Sequence, residues 1–202
     1  MEEKRITEKE SLELITLMIE NTKDNMEKGS GRMLLLWGYL SALVALSVFV
    51  SWHITGNTLT FLGWWAIPLI GFPLQFIIHK KSPKRIITYV DKAVGQVWKV
   101  TGTCAVLTPF VYMFASFPIL FAEALLISMG ATMTGLLTKY KTLAVTGSAG
   151  ILLSYLLLFV TAEYQILVFA ALFVILMIVP GHLLNAECVR KSGKINLSCS
   201  EN

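Results

Sequence analysis

The sequence predicts an all-α polytopic membrane protein with six transmembrane helices, both termini on the cytoplasmic side, and a cytoplasmic amphipathic helix ahead of the bundle. Three observations carry that expectation. Of 202 residues, 55% are hydrophobic and only 15% charged, well below the roughly one-quarter charged share that covers a soluble surface. The apolar residues are gathered into long runs broken by short polar punctuation, a pattern that calls for lipid as the solvent. Lysine and arginine alternate strictly in position relative to those runs.

Residues 1–31 read as a separate cytoplasmic helix and hinge. Thr7 and Glu10 have capping-box spacing, and Leu12, Ile15, Ile19 and Met26 recur at helical intervals. Glu13, Glu20, Lys23, Asp24 and Glu27 supply the polar side, and Gly29-Ser30-Gly31 ends the helix before Arg32. No secretory signal peptide is visible, so the first span is expected to act as its own uncleaved insertion signal.

The bundle is expected over residues 32–186, with spans at about 33–52, 59–78, 97–114, 119–137, 143–161 and 166–184. Each approaches the ~20 residues needed to cross a hydrocarbon core. The second contains Pro68 and Pro73, which membrane helices tolerate and which commonly kink them. Residues 83–97 form a second amphipathic stretch, lying in the interface or running directly into the third span. Pro180-Gly181-His182 is expected to break or bend the inner end of the sixth, and residues 187–202 form a polar cytoplasmic tail.

Orientation follows from the basic residues. Those before the first span, those from Lys80 to Lys99, Lys139 with Lys141, and Arg190, Lys191 and Lys194 together make up all 17 Lys and Arg; the three intervening loops have none. By the positive-inside rule both termini face the cytoplasm. Trp52, Trp64, Trp65 and Tyr164 near outer ends, with Trp37, Trp98 and Tyr140 near inner ends, match interfacial aromatic belts.

Glu123 is the one ionisable group well inside an apolar span. A carboxylate there is costly unless protonated, paired or hydrated, and such groups mark ion or substrate paths as well as structural hydrogen bonds. Tyr112 and Tyr155, on neighbouring outer half-helices, are its candidate partners. The small-residue pairs Ala131/Gly135, Ala144/Ser148 and Thr146/Gly150 lie on either side of a very short turn and predict close packing of the fourth and fifth helices, chemistry that a homodimer seam also uses.

His79 and His182 stand at cytoplasmic helix ends, the second near Glu187 and Cys188, but their spacing matches no zinc pattern; no metal and no cofactor are expected. Cys104, Cys188 and Cys199 form no CxxC pair and read as free thiols, and Asn196-Leu-Ser198 is an idle sequon in a cytoplasmic tail. The +4 net charge is read as contact with anionic headgroups, since no basic stripe interleaved with aromatics points to nucleic acid. No GxSxG, HExxH, Walker loop or acidic diphosphate-binding motif is present, so no enzyme is expected.

The stretches Glu10 to Ile15, Asn21-Thr22-Lys23, Leu34 to Leu40, Trp65 to Pro68 and Pro180 to Asn185 resemble an uncharacterised family of small multi-span bacterial inner-membrane proteins. That resemblance implies a cytoplasmic leading helix, a multi-span bundle and an inner-membrane location, and brings no activity with it. The expected role is a non-enzymatic docking or regulatory membrane module. Its partners would be the lipid bilayer and a cytoplasmic protein, or a second copy, engaged through residues 7–28. The alternative is a small transporter or channel using Glu123.

The topology is directly checkable. Reporter fusions after Lys81, Lys141 and Lys194 should read as cytoplasmic, and fusions at Asn57, Phe117 and Glu163 as external; a cytoplasmic signal at Glu163 rules out six spans.

Overall fold

The computed structural model describes residues 12–17, 31–81 and 89–186, with the side chains of His79 and Ala162 left aside. Among these residues the chain is helical throughout and contains no strand. Residues 12–17 form a helical segment. Six longer helices follow: α1 (Gly31–Thr55), α2 (Ala66–Lys81), α3 (Tyr89–Tyr112), α4 (Ile119–Leu137), α5 (Lys141–Ser154) and α6 (Ala162–Phe173). A 3-10 helix, Thr58–Trp65, leads into α2, and another, Tyr155–Leu158, extends α5. A π-helical turn, Val174–Ile178, continues α6, and the helix then runs on to residue 186.

Five of these stretches are long and apolar enough to cross a membrane: Gly31–Thr55, Thr58–Ile78, Ile119–Leu137, Lys141–Leu158 and Glu163–Ala186. The third expected span, α3, has the length, 24 residues, which at helical rise is about 36 Å. Gln96, Lys99 and three threonines make it too polar to join the other five. It is one continuous helix from Tyr89, so the described part of the amphipathic stretch, residues 89–97, runs straight into the apolar one. Of the leading region's cap, stripe and hinge, only Leu12, Glu13, Ile15 and Gly31 fall within the described residues.

The connections explain the helix ends. After α1, Gly56 takes φ +62° and its N–H reaches Trp52 O at 2.8 Å, the left-handed cap that glycine adopts without strain. The Asn57 side chain then accepts from Leu59 N–H at 3.0 Å and starts the next helix. Between α4 and α5, Lys139 holds the left-handed position at φ 53°. Tyr140 N–H bonds Gly135 O at 2.9 Å and Lys139 N–H bonds Leu136 O at 3.3 Å, a Schellman ending built on a lysine.

Pro180 does not break the last helix. A proline lacks the N–H for the i−4 bond and its ring crowds that carbonyl. The π turn just before it, with Val179 N–H on Val174 O, opens the helix by one residue and absorbs the conflict. Pro68 sits in the first turn of α2, where no intrahelical bond is lost, and Pro73 lies inside that helix.

The core is shared by α1, α4, α5 and α6, centred on the fully buried Leu143, Leu157, Leu176 and Leu184. The most extensive contact joins α4 to α5, and α3 packs on the outside of α4. On the other side α1 packs on α6 and carries α2. Small residues make both crossings. A Cβ on Gly135 would collide with the Ala144 backbone, and one on Gly147 would stand 2.6 Å from Thr132 N. On α1, a Cβ on Gly38 would meet Ile178 at 2.8 Å, and one on Gly181 would meet Leu35 at 2.9 Å. Ser128, Thr134 and, just past its end, Thr138 are buried along α4 and donate to carbonyls four residues earlier at 2.6–2.8 Å, so none of these three hydroxyls is stranded.

A bulky side chain at the α4–α5 crossing should therefore be costly. Gly135→Leu is expected to destabilise by about 3 kcal/mol, the upper end for overpacking, whereas Ser148→Leu, on the exposed side of α5, should be near neutral. Thermal unfolding of both variants in detergent gives the comparison.

Candidate functional site

Glu123 lies in the second turn of α4, beside the fully buried Ala124. Its Oε1 is sealed from solvent and has no hydrogen-bond partner. An ionised carboxylate in that position would carry the desolvation penalty unrelieved. The two candidate tyrosines do not relieve it: both are about half exposed, and each is engaged by a ring instead. Tyr112 meets Phe117 edge-on at 5.8 Å, and Tyr155 lies tilted against Phe121 at 5.1 Å. Among the described residues no hydrogen bond joins either phenol to Glu123. Gln165 bonds to the backbone: its amide donates to Leu157 O at 2.9 Å and Val160 O at 3.1 Å, tying the 3-10 end of α5 to the start of α6.

The expected small residues divide. Ala131, Gly135 and Gly150 are buried, Ala144 and Thr146 partly so, and Ser148 faces outward. Gly147 and Gly130, which were not among them, also sit at close approaches, to Thr132 and Thr101 respectively. Gly147 was legible as the third residue after Ala144, the spacing next to the one used to pair Ala144 with Ser148.

The histidines do not form a metal site in the described structure. His182 Nε2 lies 2.8 Å from the Tyr39 hydroxyl, with the rings edge-to-face at 6.0 Å. His79 is helical in backbone, and Glu187 and Cys188 fall outside the described residues. Among the described residues no three His, Cys, Asp or Glu side chains are grouped to hold a metal ion. Cys104 is a free, exposed thiol on α3.

A second polar join, also invisible in the sequence, fixes α2 to α1. Trp37 Nε1–H donates to Gln75 Oε1 at 3.0 Å, Phe72 packs edge-on to the indole at 5.5 Å, and Gly71 lies directly over its six-membered ring. The amide and indole satisfy each other on an exposed part of the helix surface.

The segment 12–17 has a different character. Leu12 is 65% exposed and Ile15 52%, and Leu14 and Leu17 are exposed as well, so among the described residues about half or more of this apolar surface is left uncovered.

The described residues thus define a helical, multi-span class of membrane protein with an unpaired carboxyl in one span and an uncovered apolar segment ahead of the first. No family model, no curated protein and no solved structure matches the chain.

Proposed function

We propose that this chain is a six-span protein of the bacterial cytoplasmic membrane, with both termini inside, acting as a non-enzymatic docking or regulatory module. Its leading amphipathic helix, residues 7–28, engages a cytoplasmic protein. One observation carries the reading: Leu12 and Ile15, the described members of the expected apolar stripe, stand exposed. An amphipathic helix has to bury its apolar stripe against something. The same reading takes α3 as the sixth crossing helix, supported by its length and by the positive-inside pattern, which alternates correctly only if α3 spans.

A transport or channel role through Glu123 is the second reading, favoured by one fact: Oε1 is buried and unpartnered. An ion path needs polar groups along its length, and none bonds that oxygen, so docking is the better-supported function.

Two experiments separate the readings. A photo-crosslinker at Ile15 should yield an adduct with a cytoplasmic protein, lost in Leu12→Asp; adducts to lipid alone would remove the docking role, and adducts to a second copy would replace it with self-association. Glu123→Gln keeps shape and hydrogen-bonding capacity but cannot ionise. A packing carboxyl predicts unchanged detergent stability and no pH-gradient-driven flux in liposomes from wild type or mutant, whereas flux in wild type that vanishes in Glu123→Gln establishes transport.

A further inference from the structure

In this bundle, helical glycines mark places where another element comes close. Among the described residues nine of them, from Gly31 to Gly181, would bring an added Cβ within 3.1 Å of a neighbouring element. Two break the pattern. Gly95 and Gly102, both on α3, have nothing within 4 Å of that position. They are seven residues apart, so they share one side of the helix, and Lys92 and Lys99 repeat at the same interval beside them. Val100, Leu107 and Val111 are exposed too, but on the opposite side of the helix.

The glycine-bearing side of α3 borders a gap. The 3-10 lead-in to α2 and the far end of α3 meet through Trp65 and Phe110, edge to face at 5.1 Å. Elsewhere α2 and α3 do not pack along their lengths, α2 lying on α1 and α3 on α4. Among the described residues the two helices therefore meet at the Trp65–Phe110 end and not at the other, where α2 ends in the exposed Lys80 and Lys81 and α3 begins near Lys92. Asp91 is the one acid between residues 79 and 122, and it is already engaged in an interaction of its own.

We propose that one anionic phospholipid occupies the gap between α2 and α3, its phosphate on Lys92 and Lys99 and its acyl chains along Gly95 and Gly102. Charge selects the occupant: among the described residues Lys80, Lys81, Lys92 and Lys99 are all exposed on this part of the two helices, a basic surface suited to an anionic headgroup. Shape selects it too. Another transmembrane helix needs about 8–10 Å between axes along its whole length, which the Trp65–Phe110 contact denies. A phospholipid is broad at its headgroup and tapers along its chains, so it fits a gap closed at one end. The site rests on α3 crossing the membrane, and it is independent of what the leading helix docks.

The test uses the full chain in mild detergent, titrated with phosphatidylglycerol or phosphatidylcholine and read by native mass spectrometry. A one-to-one phosphatidylglycerol adduct is expected, with phosphatidylcholine held far more weakly. Lys92→Gln with Lys99→Gln should weaken the adduct roughly thirtyfold, the equivalent of about 1 kcal/mol for each lysine. Gly102→Leu fills the slot without changing charge and should weaken it as well. Arg32→Gln with Lys141→Gln removes two charges from other helix ends and should leave it intact. Equal weakening by both double variants would reduce the effect to general headgroup attraction and overturn the site. A lipid-free dimer abolished by Gly102→Leu would overturn it in favour of a second copy. Topology reporters at Lys81 and Phe117 reading the same side would overturn it by a separate route, by removing α3 from the membrane.

Discussion

Backbone pressed against backbone at the α4–α5 crossing is the constraint around which the bundle is arranged. Gly135 lies so close to the Ala144 backbone that no side chain fits between them, and Gly147 stands nearly as close to Thr132. Lipid offers apolar helices no hydrophobic reward for meeting, so dispersion over closely matched surfaces has to hold them together. Small residues provide that proximity. The buried hydroxyls of Ser128, Thr134 and Thr138 keep it dry by bonding within their own helix. With α4 and α5 locked, α6 and α1 close over them, and Leu143, Leu157, Leu176 and Leu184 fill the space enclosed.

The outer helices follow a different rule. Apart from Gly71, neither α2 nor α3 buries a residue fully. Each is attached to one inner helix: α2 by the Trp37–Gln75 bond and the ring of Phe72, α3 by Thr101 against Gly130. Polar and aromatic joins of this kind fix orientation without demanding a large apolar interface. The molecule is thus a tight four-helix centre with two lightly held flanks, and its uncommitted polar surface lies on the flanks.

Much of the fold was legible because apolar runs and turn residues are local signals. Ile119–Leu137 agrees residue for residue with the expected fourth span, since Pro118 and the Thr138-Lys139-Tyr140 turn bound it sharply. The first span reads shorter in the sequence than the helix at Gly31–Thr55, because hydrogen bonding continues past the last apolar residue until Gly56 turns the chain. The site was less legible. Periodicity locates Glu123 in a span but does not say which neighbours turn toward it, and the two tyrosines turn to phenylalanine rings instead. Tyr39 and His182 are 143 positions apart and Trp37 and Gln75 are 38 apart, so their pairing exists only once the helices are assembled. Pro180-Gly181 has the local chemistry of a break, and only the π turn ahead of it allows the helix to continue.

That π turn also sets the phase of everything after it. One extra residue in a helical turn rotates the following side chains by about 100° around the axis. Downstream of Ile178 the rotation brings Gly181 against Leu35 and the backbone of Gly31, and places His182 within reach of Tyr39. Without the inserted residue the same sequence would present other side chains to α1, and the glycine that permits the crossing would point elsewhere. A single-residue deletion between Val174 and Ile178 is thus a different kind of change from any substitution there: it preserves every side chain type and re-addresses the whole inner end of the last helix.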